Sequence, residues 1–123
     1  MTATEKMKLA ARFLGSKKAR DISVLQVTGV TLLADYFIVC SASSTTQVKA
    51  LASGLEEAME NAGEQLFVKE GTQGLNWILL DYSDILVHVF DKESRGFYDL
   101  ERMWRDGKFV DIADFVTVQS QAD

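Results

Sequence analysis

Residues 35–42, DYFIVCSA, decide the fold. From Tyr36 onward the segment is apolar on both alternating faces, apart from Ser41. Such a strand is buried from both sides, as happens in a sheet covered by helices. The next residues, 43–63, read SSTTQVKALASGLEEAMENAG. Ser44 and Gln47 have capping-box spacing, and Val48, Leu51, Ala52, Leu55 and Met59 fall on one helical face. Glu56, Glu57 and Glu60 cluster near the other side, and Gly63 stands where a C-terminal glycine cap belongs.

Upstream, TATE at 2–5 matches a capping box, and Met7, Ala10, Ala11 and Leu14 follow on one face. Gly15 and Ser16 begin the end of this helix. DISVLQVTG at 21–29 alternates and is rich in β-branched residues, which predicts a strand closed by Gly29. Downstream, QLFVKEG at 65–71 reads as a short edge strand and TQGLN at 72–76 as a loop. WILLDYSDILVHVF at 77–90 predicts two strands, 76–81 and 84–90, joined by Tyr82-Ser83. DKESRGFYDLERMWRDG at 91–107 predicts a helix weakened by Gly96, with Phe97, Leu100 and Trp104 on one face. Residues 108–123 hold a small apolar patch and a polar tail. This order predicts an α/β fold: a mixed sheet of about five strands flanked by helices.

The 123 residues suit one domain, and no proline or low-complexity segment marks a linker. Apolar residues make up 47% and charged residues 25%, a globular composition, and no apolar run is long enough for a membrane helix. No secretory leader is expected, and Glu5 and the short length argue against a mitochondrial transit peptide. One cysteine, Cys40, excludes an internal disulfide and suits a reducing, cytoplasmic setting. The net charge of −5 is uneven: residues 1–20 carry six Lys/Arg and one Glu, and the rest seven Lys/Arg against seventeen Asp/Glu. The acidic body repels a phosphate backbone and attracts a basic partner. The basic N-terminal segment reads as a solvated helix face.

Catalytic chemistry is mostly missing. One His and one Cys cannot supply a zinc site. Both lie in apolar strand patterns, where packing competes with a nucleophile–base pair. No phosphate-binding glycine loop of the usual kinds occurs. Gly15-Ser16 followed by Asp21 is similar to the opening of nucleotidyltransferases. However, Asp21 follows after five residues and position 23 is serine, so the metal-binding carboxylate pair is absent. Asp81 and Asp84 flank a two-residue turn, where Asp commonly bonds backbone N–H groups. Trp77, Tyr82, Phe97, Tyr98 and Trp104 are interleaved with Asp81, Asp84, Asp91, Glu93 and Glu101. Core packing accounts for some of these aromatics. The others, beside carboxylates, suit an interface for a basic protein.

Three blocks, ADYFIVCSASSTTQVKALA, WILLDYSDILVHVF and SRGFYDLERMW, resemble the signature blocks of the ribosomal silencing factor, or Iojap-like, family. The likeness runs from about residue 4 to 105. It implies one domain over 1–105, with 106–123 a C-terminal extension, and a nucleotidyltransferase-like fold without the active site. It implies a cytoplasmic factor, not an enzyme, without catalytic or metal residues or cofactor. That factor binds the large ribosomal subunit through its basic ribosomal protein fourteen. It thereby blocks joining of the small subunit and represses translation under nutrient limitation, and it self-associates as a homodimer in isolation. The alternative is a divergent nucleotidyltransferase-like enzyme. Carried over by position, the partner-binding residues are Trp77, Leu80, Asp81, Asp84, His88, Arg95, Tyr98, Leu100 and Glu101. Trp77 and Tyr98 are the expected anchors, with Asp81, Asp84 and Glu101 as electrostatic partners. His88 is open between core and interface. Ser83 departs from the family pattern, which has a turn glycine there.

Overall fold

The computed structural model describes residues 1–71, 76–97 and 104–116; of the side chains of residues 96 and 97 nothing is said. The order is α1 (Ala3–Ser16), β1 (Arg20–Gln26), β2 (Tyr36–Ala42), α2 (Thr45–Asn61), β3 (Val68–Glu70), β4 (Trp77–Asp81), β5 (Ile85–Asp91), α3 (Lys92–Phe97) and β6 (Lys108–Phe109). The strands form one open sheet in the order β3-β4-β5-β2-β1-β6. Only β2 and β5 run parallel; the other neighbours are antiparallel. The sheet is mixed, as expected, and among the described residues it has six strands, one more than the roughly five expected. The sixth is two residues long, too short to leave a periodic signal.

β2 lies in the interior of the sheet, and all its residues are buried. Tyr36, Ile38, Cys40 and Ala42 point into the main core, while Phe37 joins a second cluster on the opposite face. β5 alternates likewise, with Ile85, Val87 and Val89 toward the main core and Leu86 toward the second cluster. Helices α1 and α2 close the main core with Met7, Ala10, Ala11, Leu14, Val48, Leu51, Ala52, Leu55 and Met59, the residues that their periodicity selected. The second cluster comprises Leu25, Val27, Ala34, Phe37 and Leu86, with Leu79 and Trp104 packed against it.

Local signals fix the helix ends. Thr2 and Glu5 make a reciprocal capping box, at 2.8 and 3.1 Å. Ser44 Oγ accepts from the Gln47 backbone amide at 3.1 Å, while Gln47 Oε1 accepts from the backbone amide and hydroxyl of Ser43, one residue before the cap. At the end of α2, Gly63 takes φ +86°; its amide bonds Glu60 and the Glu64 amide bonds Met59. That is a Schellman cap, which favours glycine because of its left-handed backbone.

Residues 104–116 pack on this fold. Lys108 and Phe109 pair with Gln26 and Leu25. Val116 is buried in the main core, with Val110, Ile112 and Phe115 against it. Of the helix expected over 91–107, the described part is α3, Lys92–Phe97; residues 104–106 form a turn, and 98–103 lie outside the described residues.

A candidate docking face on β4 and β5

Strand alternation divides β4 sharply. Ile78 and Leu80 are buried in the main core under the helices. Trp77, Leu79 and Asp81 are half-buried and face the other way. Leu80, expected among the partner-binding residues, is fully buried, so it stabilises the sheet and presents nothing to a partner. Its neighbour Leu79 holds the position on the outer face, packed against the second cluster. The sequence contains the signal that finds it: 77, 79 and 81 alternate with 78 and 80. Across the edge, Glu70 stands opposite Leu79 and Val68 opposite Asp81, which adds the exposed Glu70 carboxylate to this face.

The centre of the face is aromatic. Trp77 opens β4 directly opposite Phe90, and His88 stands opposite Leu79. The Trp77 Nε1–H donates to His88 Nδ1 at 3.2 Å. The rings of Trp77 and Phe90 lie nearly parallel at 5.7 Å, and those of Trp77 and His88 at 6.0 Å. Phe37 meets His88 edge-on at 5.9 Å and Trp104 edge-on at 5.1 Å. His88 is only 6% exposed, and burial pushes its pKa down to about 4. It is therefore neutral at pH 7, and accepting at Nδ1 assigns its proton to Nε2. Between core and interface, His88 falls on the buried side, yet it touches the half-exposed indole. Just before the β3–β4 connection, Gly71 at φ +81° passes so close to the Trp77 carbonyl that a side chain would collide with it.

The carboxylates do not converge. Asp81 Oδ1 accepts from the Ser83 amide at 2.7 Å, the turn role expected of an Asp there. Asp84 Oδ1 accepts from Lys6 Nζ at 2.7 Å, and the Asp84 carbonyl accepts from the Asp35 amide at 2.8 Å. Lys6 also lies 3.3 Å from Glu64. Burial opposes the Lys6 charge, but the bonds to Asp84 and Glu64 outweigh it and raise the Lys6 pKa. Asp84 is thus engaged with α1. Arg95 is a strut: its guanidinium donates to the Asp21 carbonyl, to Ser41 Oγ at 3.1 Å and to Ser23 Oγ at 3.2 Å. These bonds tie α3 to β1 and β2. Tyr98, Leu100 and Glu101 lie outside the described residues.

The catalytic alternatives find little support in this geometry. Cys40 faces the main core and His88 the opposite face, so they make no nucleophile–base pair. Burial pushes the Cys40 thiol up to about 12, against the weaker pull of Arg95. Gly15 and Ser16 sit in the last turn of α1, where Ser16 Oγ donates to the Phe13 carbonyl at 2.7 Å. Among the described residues, no three His, Cys, Asp or Glu side chains are grouped to hold a metal.

The chain that carries this face matches a known family along its whole length. The family described as "Ribosomal silencing factor during starvation" matches residues 1–123. Ribosomal silencing factor RsfS of Bacillus subtilis is 38% identical over 106 residues, covering 86% of this chain and 90% of that protein. Mouse "Mitochondrial assembly of ribosomal large subunit protein 1" is 31% identical over 80% of this chain, which spans 44% of it. The crystal structure of protein CV0518 from Chromobacterium violaceum superposes with a TM-score of 0.82 at 32% identity, over 100% of both chains. By sequence and by fold, this chain belongs to the ribosomal silencing factor family.

Proposed function

We propose that this protein is a cytoplasmic, non-enzymatic repressor of translation. It binds the large ribosomal subunit through its basic ribosomal protein fourteen, and from that position blocks joining of the small subunit when nutrients are scarce. The observation that carries this reading is the face of Trp77 and Leu79, half-buried and apolar, with Asp81 and Glu70 beside it. Half-buried aromatics supply anchors whose remaining surface is desolvated on docking, and flanking carboxylates steer a basic partner. Tyr98, Leu100 and Glu101 are proposed to extend the face. We assign Leu80, Asp84 and Arg95 to its support, because each is occupied within the fold. Self-association as a homodimer in isolation belongs to the same proposal.

Titration of the purified protein with isolated ribosomal protein fourteen tests the partner. Wild type is expected to bind, and Glu70→Lys, at an exposed edge position, to bind severalfold more weakly with an unchanged melting temperature. Equal binding by both proteins contradicts an acidic docking rim. Titration with nucleotide and magnesium is expected to give no heat; a saturable signal would restore the nucleotidyltransferase-like reading.

A further inference from the structure

His88 stands in a place where the fold has little need of a polar side chain. It sits in the middle of β5, whose residues Ile85 to Phe90 are all buried, between aliphatic neighbours on the adjacent strands: Val39 on β2 and Leu79 on β4. Phe37 meets it edge-on, and Phe90, two residues along the same strand, lies nearly parallel to it at 6.1 Å. A phenylalanine would satisfy such surroundings without the cost of burying a polar ring. What the imidazole adds is one acceptor, Nδ1, and that atom takes the indole N–H of Trp77 at 3.2 Å.

We infer that His88 is a positioning residue, which fixes the indole of Trp77 in its docking orientation before the partner arrives. This inference rests on the docking reading given above. A half-buried tryptophan at the start of an edge-proximal strand has alternative rotamers, and ordering such a side chain on binding costs affinity. The bond to Nδ1, with the nearly parallel Phe90 ring at 5.7 Å, removes that freedom in the unbound protein. The imidazole can act so because it is buried and neutral: as a cation it would carry a proton on Nδ1 and accept nothing. His88 itself makes no contact with the partner, being 6% exposed.

The test uses Trp104→Phe as background, because the chain has two tryptophans and this leaves the indole signal to Trp77 alone. Near-ultraviolet circular dichroism of the free protein reads the order of the indole, and co-sedimentation with large ribosomal subunits reads affinity. His88→Phe is expected to flatten the indole signal and weaken binding about tenfold, as loss of one buried partner implies. His88→Asn, whose side-chain oxygen falls near the Nδ1 position, is expected to restore both. Combined with Trp77→Phe, which deletes the same bond from the donor side, His88→Phe is expected to cost no further affinity. A folded His88→Phe with an unchanged indole signal overturns the inference, as does an equal loss of affinity with and without Trp77→Phe. Should His88→Phe not fold, Trp77→Phe alone decides: wild-type affinity overturns the inference. The docking reading fails separately, if folded Trp77→Ala binds like wild type. Strong dependence on Trp77 with indifference to His88→Phe removes only the positioning role.

Discussion

Ser83 has φ +76°, in the left-handed region that costs an L-residue about 1–2 kcal/mol. Its amide is held there by the Asp81 carboxylate, and the Tyr82 amide bonds the Ile85 carbonyl across the turn. Ser83→Gly is expected to keep this turn and raise the melting temperature by a few degrees, since glycine relieves the strain and gives back part of the gain as chain entropy. Thermal unfolding of the single variant checks this. His88 offers a second residue-scale outcome. An exposed imidazole titrates near 6.5, and burial lowers that of His88 to about 4. Between those values the unfolded chain takes up a proton that the native protein refuses. Stability is therefore intact above about 6.5 and is lost as pH falls toward 4, by roughly 2 kcal/mol at pH 5. Denaturant unfolding at pH 5 and pH 8 is expected to show this difference in wild type, beyond whatever slope remains in His88→Asn. That a turn joins the two strands at Tyr82-Ser83 was visible in the sequence. The Lys6–Asp84 pair was not, because its partners lie 78 positions apart and only the finished fold brings them together.

At the scale of the element, β4 places two adjacent leucines on opposite faces, Leu80 in the main core and Leu79 on the proposed docking face. Leu80→Ala removes a fully buried side chain and is expected to cost about 2–5 kcal/mol of stability, with binding lost only through unfolding. Leu79→Ala is expected to cost about 1 kcal/mol, because its side chain is only partly buried, and to weaken large-subunit binding severalfold in a folded protein. Chemical denaturation and co-sedimentation on the same preparations separate the two; equal behaviour of both variants would contradict the division of faces. Most elements were legible from period and capping: the doubly apolar DYFIVCSA became the fully buried β2, and TATE became a reciprocal capping box. Positional carry-over named Leu80, whereas period-2 alternation names Leu79. The two-residue β6 was not legible, because it exists through pairing with β1 and not through any pattern of its own. Arg95 was read as a contact for a partner; its bond to the Asp21 carbonyl, where the β1–β2 register shifts between Arg20 and Ser23, is a further role that periodicity does not reveal.

Across the whole molecule, the charge asymmetry has a structural counterpart. Of the six basic residues at positions 1–20, Lys6 pairs with Asp84, Lys8 lies 5.5 Å over the Phe115 ring, Lys17 lies 5.9 Å over the Phe13 ring, and Arg12 donates to the Phe115 carbonyl. These contacts hold the cations against the fold without cancelling their charge, except at Lys6, and the long-range field follows the net charge of −5 that the acidic body sets. Association with the large subunit is expected to slow as salt rises, because exposed charges are screened over about 8 Å at physiological ionic strength. Stopped-flow rates that stay flat across that range would contradict electrostatic docking. The central claim is that the Trp77–Leu79 face holds the large subunit in a state that cannot join its partner. It is tested most directly by sucrose-gradient analysis of purified large and small subunits with wild type, Leu80→Val or Trp77→Ala, each first shown to be folded. Wild type and Leu80→Val are expected to leave the subunits apart, and Trp77→Ala to let them join. Joined subunits in the presence of saturating wild type, or subunits kept apart equally well by Trp77→Ala, would contradict the claim.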